Sequence, residues 1–343
     1  MARFKKASDI RVGVVGYGGA FNMGKWHLLE MQKAGMTPVA VAEIDPKRLD
    51  AAKTDFPGIG TFDSLGTMLK KSDVNLITII TPHNTHAKLA VQALKAGRHV
   101  VCEKPLAITT AECDAMISAA KAKNLVLSTY HNRHWDGCIL EAAERIGSGV
   151  IGPVHRVEIL MGGFGKPGDW WRSSKSISGG VLYDWGVHLL EYSLQIVKSD
   201  IVEVSGFAVR GVWASQSVWK NDLNEDEAAA IVRFKGGASL TLRMSQIDMR
   251  PHQGWVVFTG SKGVYVMNGG DYEIYLREGN ETVVRRGPNC GGEGWKFYQN
   301  VADHLAKGEK LIITGEWARR PIHILDLACR SAELGRALPA KYK

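Results

Sequence analysis

Residues 12–24, Val12-Gly13-Val14-Val15-Gly16-Tyr17-Gly18-Gly19-Ala20-Phe21-Asn22-Met23-Gly24, decide the fold of this chain. An apolar, β-rich run enters a cluster of glycines, and a helix-like stretch follows. Glycine permits a tight turn and a close backbone approach to pyrophosphate, whose charge the first amides of the next helix favour. The spacing departs from G-x-G-x-x-G. Counted from Gly16, the third glycine position falls on Phe21, so the turn reads as longer, with Gly24 in the third role. The second strand closes at Glu43. A carboxylate there accepts both hydroxyls of an adenosine ribose and repels a 2′-phosphate, which favours NAD over NADP. Asp45 is an alternative acid, and Lys47 or Arg48 could soften the discrimination.

Outward from this turn, short β-rich runs alternate with helical stretches. Strands are expected over 10–16, 37–43, 74–81, 99–102 and 125–130, and helices over 25–34, 46–55, 65–71, 85–96 and 109–122. Asn84-Thr85 and Thr109-Thr110 supply N-caps and Gly97 a C-cap. Such alternation implies a doubly wound parallel sheet covered on both faces. Beyond about residue 150 the pattern changes to longer strands over 154–161, 201–209, 228–234, 238–245, 255–259 and 263–267. Gly236-Gly237 and Ser261-Lys262-Gly263 read as hairpin turns. Helices follow over 180–197, 295–306 and 317–336. The expectation is a dinucleotide-binding domain over 1–129. An α+β domain with a large, mainly antiparallel open sheet follows over 130–343, for substrate binding and oligomerisation.

Composition narrows the class. The 343 residues are 45% hydrophobic and 23% charged, ordinary for a globular protein. No apolar run reaches the length of a membrane span, and the basic start is followed by no signal-peptide apolar core. Five scattered cysteines form neither a disulfide framework nor a CxxC metal site. A soluble cytoplasmic protein is expected. The formal charge of +8 is dispersed, without a Lys/Arg block, which fits a cleft for an anionic cofactor rather than nucleic acid.

Two further motifs carry chemistry. Glu103-Lys104-Pro105 follows a buried strand, whose C-terminal end faces the ligand crevice in an open parallel sheet. Pro105 restricts the backbone of Lys104 and could fix its aim, with a cis bond as one means. The lysine suits a developing alkoxide. Gly179-Gly180-Val181-Leu182-Tyr183-Asp184-Trp185-Gly186-Val187-His188 sets an acid and a histidine four residues apart, one face of a helix. Trp170-Trp171-Arg172 upstream and His131-Asn132-Arg133-His134-Trp135 offer aromatic faces for sugar C–H groups and polar groups for hydroxyls. His83/His86 and His131/His134 show HxxH without the zincin HExxH pattern, so no metal is expected.

Together these residues resemble the glucose–fructose oxidoreductase/inositol dehydrogenase (Gfo/Idh/MocA) family over nearly the whole chain. The resemblance rests on the opening turn, the acid at 43 and Thr81-Pro82 with His86. It continues through Gly97-Arg98-His99-Val100-Val101-Cys102-Glu103-Lys104-Pro105, Asn132-Arg133 and the 179–188 decapeptide. It implies hydride transfer between a secondary alcohol of a sugar or cyclitol and NAD, with NADP less favoured. Lys104, Asp184 and His188 fall on the family's catalytic residues. By the same resemblance Gly16, Gly18, Gly19, Ala20, Phe21, Glu43, Thr81, Pro82, His83, His86, Glu103 and Lys104 face the cofactor. Lys104, Asn132, Arg133, Trp170, Trp171, Arg172, Asp184 and His188 face the substrate. The physical roles agree. Lys104 holds the reacting oxygen, His188 exchanges its proton, and Asp184 orients the histidine or bonds a neighbouring hydroxyl. A glycosidase working by transient oxidation and a non-catalytic sugar or NAD-binding regulator are the alternatives. A sheet with few covering helices predicts a homo-oligomer, a tetramer or a dimer.

Overall fold

The structure, a computed structural model, describes residues 2–250 and 254–342. The first unit contains β1 (Arg11–Val15), α1 (Met23–Lys33), β2 (Thr37–Ala42), α2 (Pro46–Asp55), β3 (Gly60–Phe62), α3 (Leu65–Lys71), β4 (Leu76–Ile79), α4 (His86–Lys95), β5 (His99–Cys102), α5 (Thr110–Ala122) and β6 (Leu127–Thr129). The six strands pair in parallel in the order β3-β2-β1-β4-β5-β6. Their buried run of Val12, Val14, Leu76, Ile77, Ile79, Val100 and Val101 reads as near-continuous apolar sequence because helices cover both faces. In this order the crevice for a ligand lies at the C-terminal ends of β1 and β4, where the winding reverses. The Thr109 cap is a full capping box. The Thr109 hydroxyl accepts the Glu112 amide, and the Glu112 carboxylate accepts the Thr109 amide. Gly97 follows α4 with φ +80.

The second unit contains α6 (Gly137–Gly147), β7 (Val154–Gly162), α7 (Lys175–Ser178), α8 (Gly186–Ile196), β8 (Ile201–Val209), β9 (Glu227–Phe234), β10 (Ser239–Ser245), β11 (Val256–Gly260), β12 (Gly263–Met267), β13 (Asp271–Glu278) and β14 (Glu281–Pro288). The chain ends through α9 (Lys296–Lys307), α10 (Gly315–Leu334) and β15 (Leu338–Pro339). The nine strands run β14-β13-β12-β11-β7-β10-β9-β8-β15, antiparallel throughout except for β7 beside β10. One face buries Val157, Ile159, Val204, Ala230, Val232, Leu240, Leu242 and Phe258. The opposite face mixes exposed Phe207, Val209 and Ile231 with cross-strand ion pairs such as Arg233–Glu203 and Arg286–Glu273.

The compact units are not the two halves of the sequence. The first comprises Met1–Asn132 with Trp295–Arg319, the second Arg133–Gly294 with Arg320–Lys343. Residues 295–319, expected with the second domain, therefore pack with the first. The Arg3 amide donates to Leu305 O at 2.7 Å, the Ser128 hydroxyl donates to Ile313 O at 2.7 Å, and Arg319 pairs with Asp114 at 2.8 Å. Among the described residues no helix is long and apolar enough to cross a membrane, and no cluster of His, Cys, Asp or Glu is placed to hold a metal ion.

Candidate functional site

The glycine turn spans 16–22, and α1 begins only at Met23, so the turn is longer than G-x-G-x-x-G allows. Gly16 has φ +100, and a Cβ there would lie 2.9 Å from Ile80 O. Gly24 supports the helix against the strand, since a Cβ would lie 2.6 Å from the Tyr17 ring and 2.8 Å from Gly16 O. No described atom lies within 4 Å of a Cβ built on Gly18. Ala20 and Phe21 are exposed, and no side chain caps the α1 N-terminus. These features fit a pyrophosphate: an open backbone approach beside helix amides.

Glu43 stands at the end of β2, where a ribose ligand belongs, but its carboxylate is already engaged. Oε2 accepts the Tyr17 amide at 2.6 Å, and Oε1 accepts the Ile44 and Asp45 amides at 2.7 and 3.1 Å. Three of about four lone-pair sites are taken. Glu43 thus has room for one ribose hydroxyl. Accepting both, as expected from sequence, requires giving up a backbone amide. Arg48 lies across the turn, its Nε donating to Tyr17 O at 2.8 Å and Nη2 to Asn22 Oδ1 at 3.1 Å, with Nη1 3.0 Å from a Cβ built on Gly19.

The Lys104–Pro105 bond is cis. Glu103 Oε2 accepts the Lys104 amide at 2.9 Å, while Oε1 lies 2.9 Å from His27 Nε2. Nδ1 of that buried imidazole lies 2.7 Å from Tyr298 Oη, which lies 3.2 Å from Thr78 Oγ1. Burial pushes the Glu103 pKa up, but His27 and the Lys104 contacts outweigh it and hold the carboxyl below its usual range. His86 lies between the Thr81 and Pro105 segments. It is fully buried, with Nδ1 2.8 Å from Pro105 O and Nε2 2.8 Å from Thr81 O. A neutral ring has one N–H and donates to one of these carbonyls, while its other nitrogen only lies close to the second. Burial, against the pull of those carbonyls, keeps its pKa below the ordinary value. Thr81 Oγ1 is 2.6 Å from Thr85 Oγ1, the Thr85 hydroxyl donates to Pro82 O at 2.6 Å, and His83 is buried with its ring 5.7 Å from that of His86.

In the second unit the expected helix over 180–197 starts later. Val181–Tyr183 is a single 3-10 turn, and α8 begins at Gly186. Asp184 therefore precedes the helix that carries His188, a correction to the one-face reading. Gly179 and Gly180 have φ +95 and +128, which keeps both out of regular helix. Asp184 Oδ1 accepts Arg172 Nη1 at 2.5 Å. The guanidinium lies 5.3 and 5.2 Å from the ring centroids of Trp170 and Trp171, so the three residues upstream and the acid converge. His188 is 5% exposed, and its ring meets Trp185 edge-on at 5.9 Å. Trp185 in turn receives the Arg133 guanidinium at 4.9 Å and packs on Trp255 at 5.6 Å. Arg133 is anchored to Asp136 at 2.8 Å, which also accepts the Tyr192 hydroxyl at 2.6 Å. Asn132 opens the short turn Asn132–Trp135 and is half-buried.

Sequence reasoning passes over the residues that hold these groups: His27 and Tyr298 behind Glu103, and Asn224 behind Arg172. Asn224 Nδ2 donates to Arg172 O at 2.7 Å. Each acts across 50 residues or more of sequence, so no local pattern marks it.

Comparison with known proteins agrees with both units. Residues 10–131 match the family described as "Oxidoreductase family, NAD-binding Rossmann fold", and residues 139–266 match the GFO/IDH/MocA C-terminal domain. The chain is 23% identical to scyllo-inositol 2-dehydrogenase (NADP(+)) of Bacillus subtilis, with 97% of each chain covered. It is 27% identical to myo-inositol 2-dehydrogenase of Thermotoga maritima, over 84% of this chain and 81% of that one. A solved levoglucosan dehydrogenase in complex with NADH and levoglucosan has the same fold, with a TM-score of 0.82 at 22% identity, covering 97% of this chain and 99% of that one. With its glycine turn, its Glu103-Lys104-Pro105 strand end and both matched domains, the chain belongs to the GFO/IDH/MocA family of NAD-binding oxidoreductases.

Proposed function

We infer that the protein is an NAD-dependent dehydrogenase that oxidises a secondary alcohol of a sugar, sugar derivative or cyclitol, or reduces the matching ketone. The observation that carries this reading is the Arg172–Asp184 pair, set among Trp170 and Trp171 just ahead of the helix bearing His188. Aromatic faces suit the C–H faces of a sugar ring, and a fixed carboxylate and guanidinium suit its hydroxyls. The inositol and levoglucosan dehydrogenases among the relatives support the substrate class.

Bound NAD would supply the hydride acceptor. Lys104 donates to the reacting oxygen as negative charge grows there. His188 takes the hydroxyl proton. Asp184, held by Arg172, accepts a neighbouring hydroxyl and fixes the ring. Glu43 favours NAD over NADP by repelling a 2′-phosphate, with Arg48 close enough to moderate the preference. The open sheet face, with Phe207, Val209 and Ile231 exposed, is the surface proposed for a dimer or tetramer. Light scattering that shows a monomer at micromolar concentration would sink that part.

The test of function is steady-state turnover on a panel of inositols, anhydrosugars and aldoses, with NAD and with NADP. Oxidation that depends on added NAD and collapses in Lys104→Met and His188→Ala is the expected result. Near-normal turnover in both variants would show the site to be elsewhere. Hydrolysis of glycosides with no net NADH, or NAD binding with no turnover on any substrate, would replace the dehydrogenase reading.

A further inference from the structure

Glu225 stands at the entry to β9 with its side chain 4% exposed. Its Oε1 takes Lys175 Nζ at 2.6 Å and Arg210 Nη2 at 2.8 Å, and its Oε2 accepts the amide of Val181 at 3.1 Å. Burial pushes the carboxyl pKa up, but Lys175 and backbone hydrogen bonds outweigh it and keep the group ionised below its usual range. Lys175 also reaches Cys329 Sγ at 3.5 Å. A cavity of about 280 Å³, lined by Leu182, Phe207, Arg210, Glu225 and Cys329 among others, opens beside the cluster.

The Gly179-Gly180 turn rests directly on these ions. Gly180 has φ +128, and a Cβ there would lie 2.7 Å from both Glu225 Oε2 and Lys175 Nζ. Both the backbone conformation and the space exclude a side chain. The neighbour of Glu225 grips the other end of the same loop. The Asn224 amide donates to Ser173 O at 2.9 Å, its Nδ2 donates to Arg172 O at 2.7 Å, and the Ser178 hydroxyl donates to its Oδ1 at 3.0 Å. Residues 224–225 therefore hold the loop at 172–173, at 178 and at 181. The loop's two ends are Arg172 and Asp184, which pair with each other at 2.5 Å.

We propose that Glu225, clamped between Lys175 and Arg210, is a positioning residue that sets the Arg172–Asp184 pair for its substrate. The proposal rests on the dehydrogenase reading for what the pair does, but not for how the pair is held. A neutral amide at 225 could still accept the Val181 N–H. It could not hold two cations, and the loop would lose its seat.

Glu225→Gln tests this in the full-length enzyme. The expected result is a kcat lower by about 10- to 100-fold with the KM for NAD unchanged, because the loss falls on substrate orientation. In an Asp184→Asn background the same substitution should cost less than about threefold, since the two act through one element. Amide hydrogen exchange, which needs no turnover, should quicken over 173–188 and stay unchanged in the first unit. If Glu225→Gln does not fold, Arg210→Met replaces it. That variant keeps the Lys175 pair and should show the same pattern at smaller amplitude. Full additivity with Asp184→Asn, or unchanged exchange over 173–188 in a folded variant, overturns the proposal. If the wild type turns over no substrate, the exchange arm alone decides: quickening confined to 173–188 upholds the positioning role while the dehydrogenase reading falls.

Discussion

Glu103 in the first unit and Glu225 in the second are both carboxylates removed from most solvent, and each accepts a backbone amide from a segment that carries candidate chemistry. Glu103 takes the Lys104 amide at 2.9 Å, and Glu225 takes the Val181 amide at 3.1 Å, three residues before Asp184. Their other oxygens differ. Glu103 faces an imidazole, His27, which has a neutral form and is itself joined to Tyr298 and Thr78. Glu225 faces an ammonium and a guanidinium. A neutral imidazole can still donate a hydrogen bond to Glu103, whereas the second site sets a carboxylate against two cations and ties its geometry to ionisation.

Removing each carboxylate in turn separates the two sites. Glu225→Ala leaves two cations facing a buried site and is expected to cost about 3–5 kcal/mol of stability. Glu103→Ala leaves hydrogen-bonding groups that can stay neutral and should cost about 1–3 kcal/mol. Denaturant melts of the two variants decide it, and equal losses would mean that partner charge does not govern either site. On the catalytic side, Lys104→Met should lower kcat by about 10²–10³ and His188→Ala by about 10²–10⁴, with NAD affinity by fluorescence quenching little changed. A fall in NAD affinity that matches the fall in kcat would reassign Lys104 to the cofactor.

Acid separates the units further. Burial drives His99 down to about 4, and its Nδ1 accepts the Val126 amide at 3.0 Å, which only a neutral ring can do. Its unfolded value is near 6.5, so the unfolded chain binds the proton first. The stabilisation is full above about pH 6.5 and is lost as pH falls towards 4, on the order of 3 kcal/mol. Glu225 has the depressed pKa of a paired carboxylate. Its contribution is present above the unfolded value near 4.3 and is lost only as pH falls below it. The first unit should therefore weaken at milder acidity than the second. Melting followed against pH should show this, with His99→Gln flattening the range between pH 6.5 and 4. An unaltered profile in that variant would clear His99. The smallest effect concerns cofactor choice. Glu43→Ser should shift the NAD:NADP ratio of kcat/KM towards NADP by about 1–2 kcal/mol, roughly 5- to 30-fold. An unmoved ratio would leave Glu43 as a brace for the Tyr17, Ile44 and Asp45 amides alone.

The parallel sheet was legible because buried strands such as 99–102 carry short apolar runs, here Val100-Val101-Cys102 after the turn glycine Gly97, and Thr109 announces its helix with Glu112 three residues on. β14 was not, because as an edge strand it carries Arg285 and Arg286 and shows no apolar alternation. β13 alternates more clearly, with Tyr272 and Ile274 buried, and it pairs with β12 on one side and β14 on the other. β3 has only three residues, too few for a period to show. The helix Gly137–Gly147 has a readable buried stripe of Cys138, Ile139 and Ala142, but it lies where the change of pattern suggests a join. In the site, motif residues could be named from sequence, while their holders could not. Lys175, Arg210 and Glu225 are ordinary surface-type residues until the fold brings the two cations onto a buried carboxylate.

The return of residues 295–319 to the first unit has a consequence for synthesis. His27 emerges early, but Tyr298, which lies against its Nδ1, is made 271 residues later. The carbonyl of Leu305 that takes the Arg3 amide, and that of Ile313 that takes the Ser128 hydroxyl, also come late. A ribosome that has released only the first 294 residues holds a dinucleotide-type sheet lacking these partners. The brace behind Glu103 is then incomplete, and the nascent chain must wait for its end before its beginning is finished.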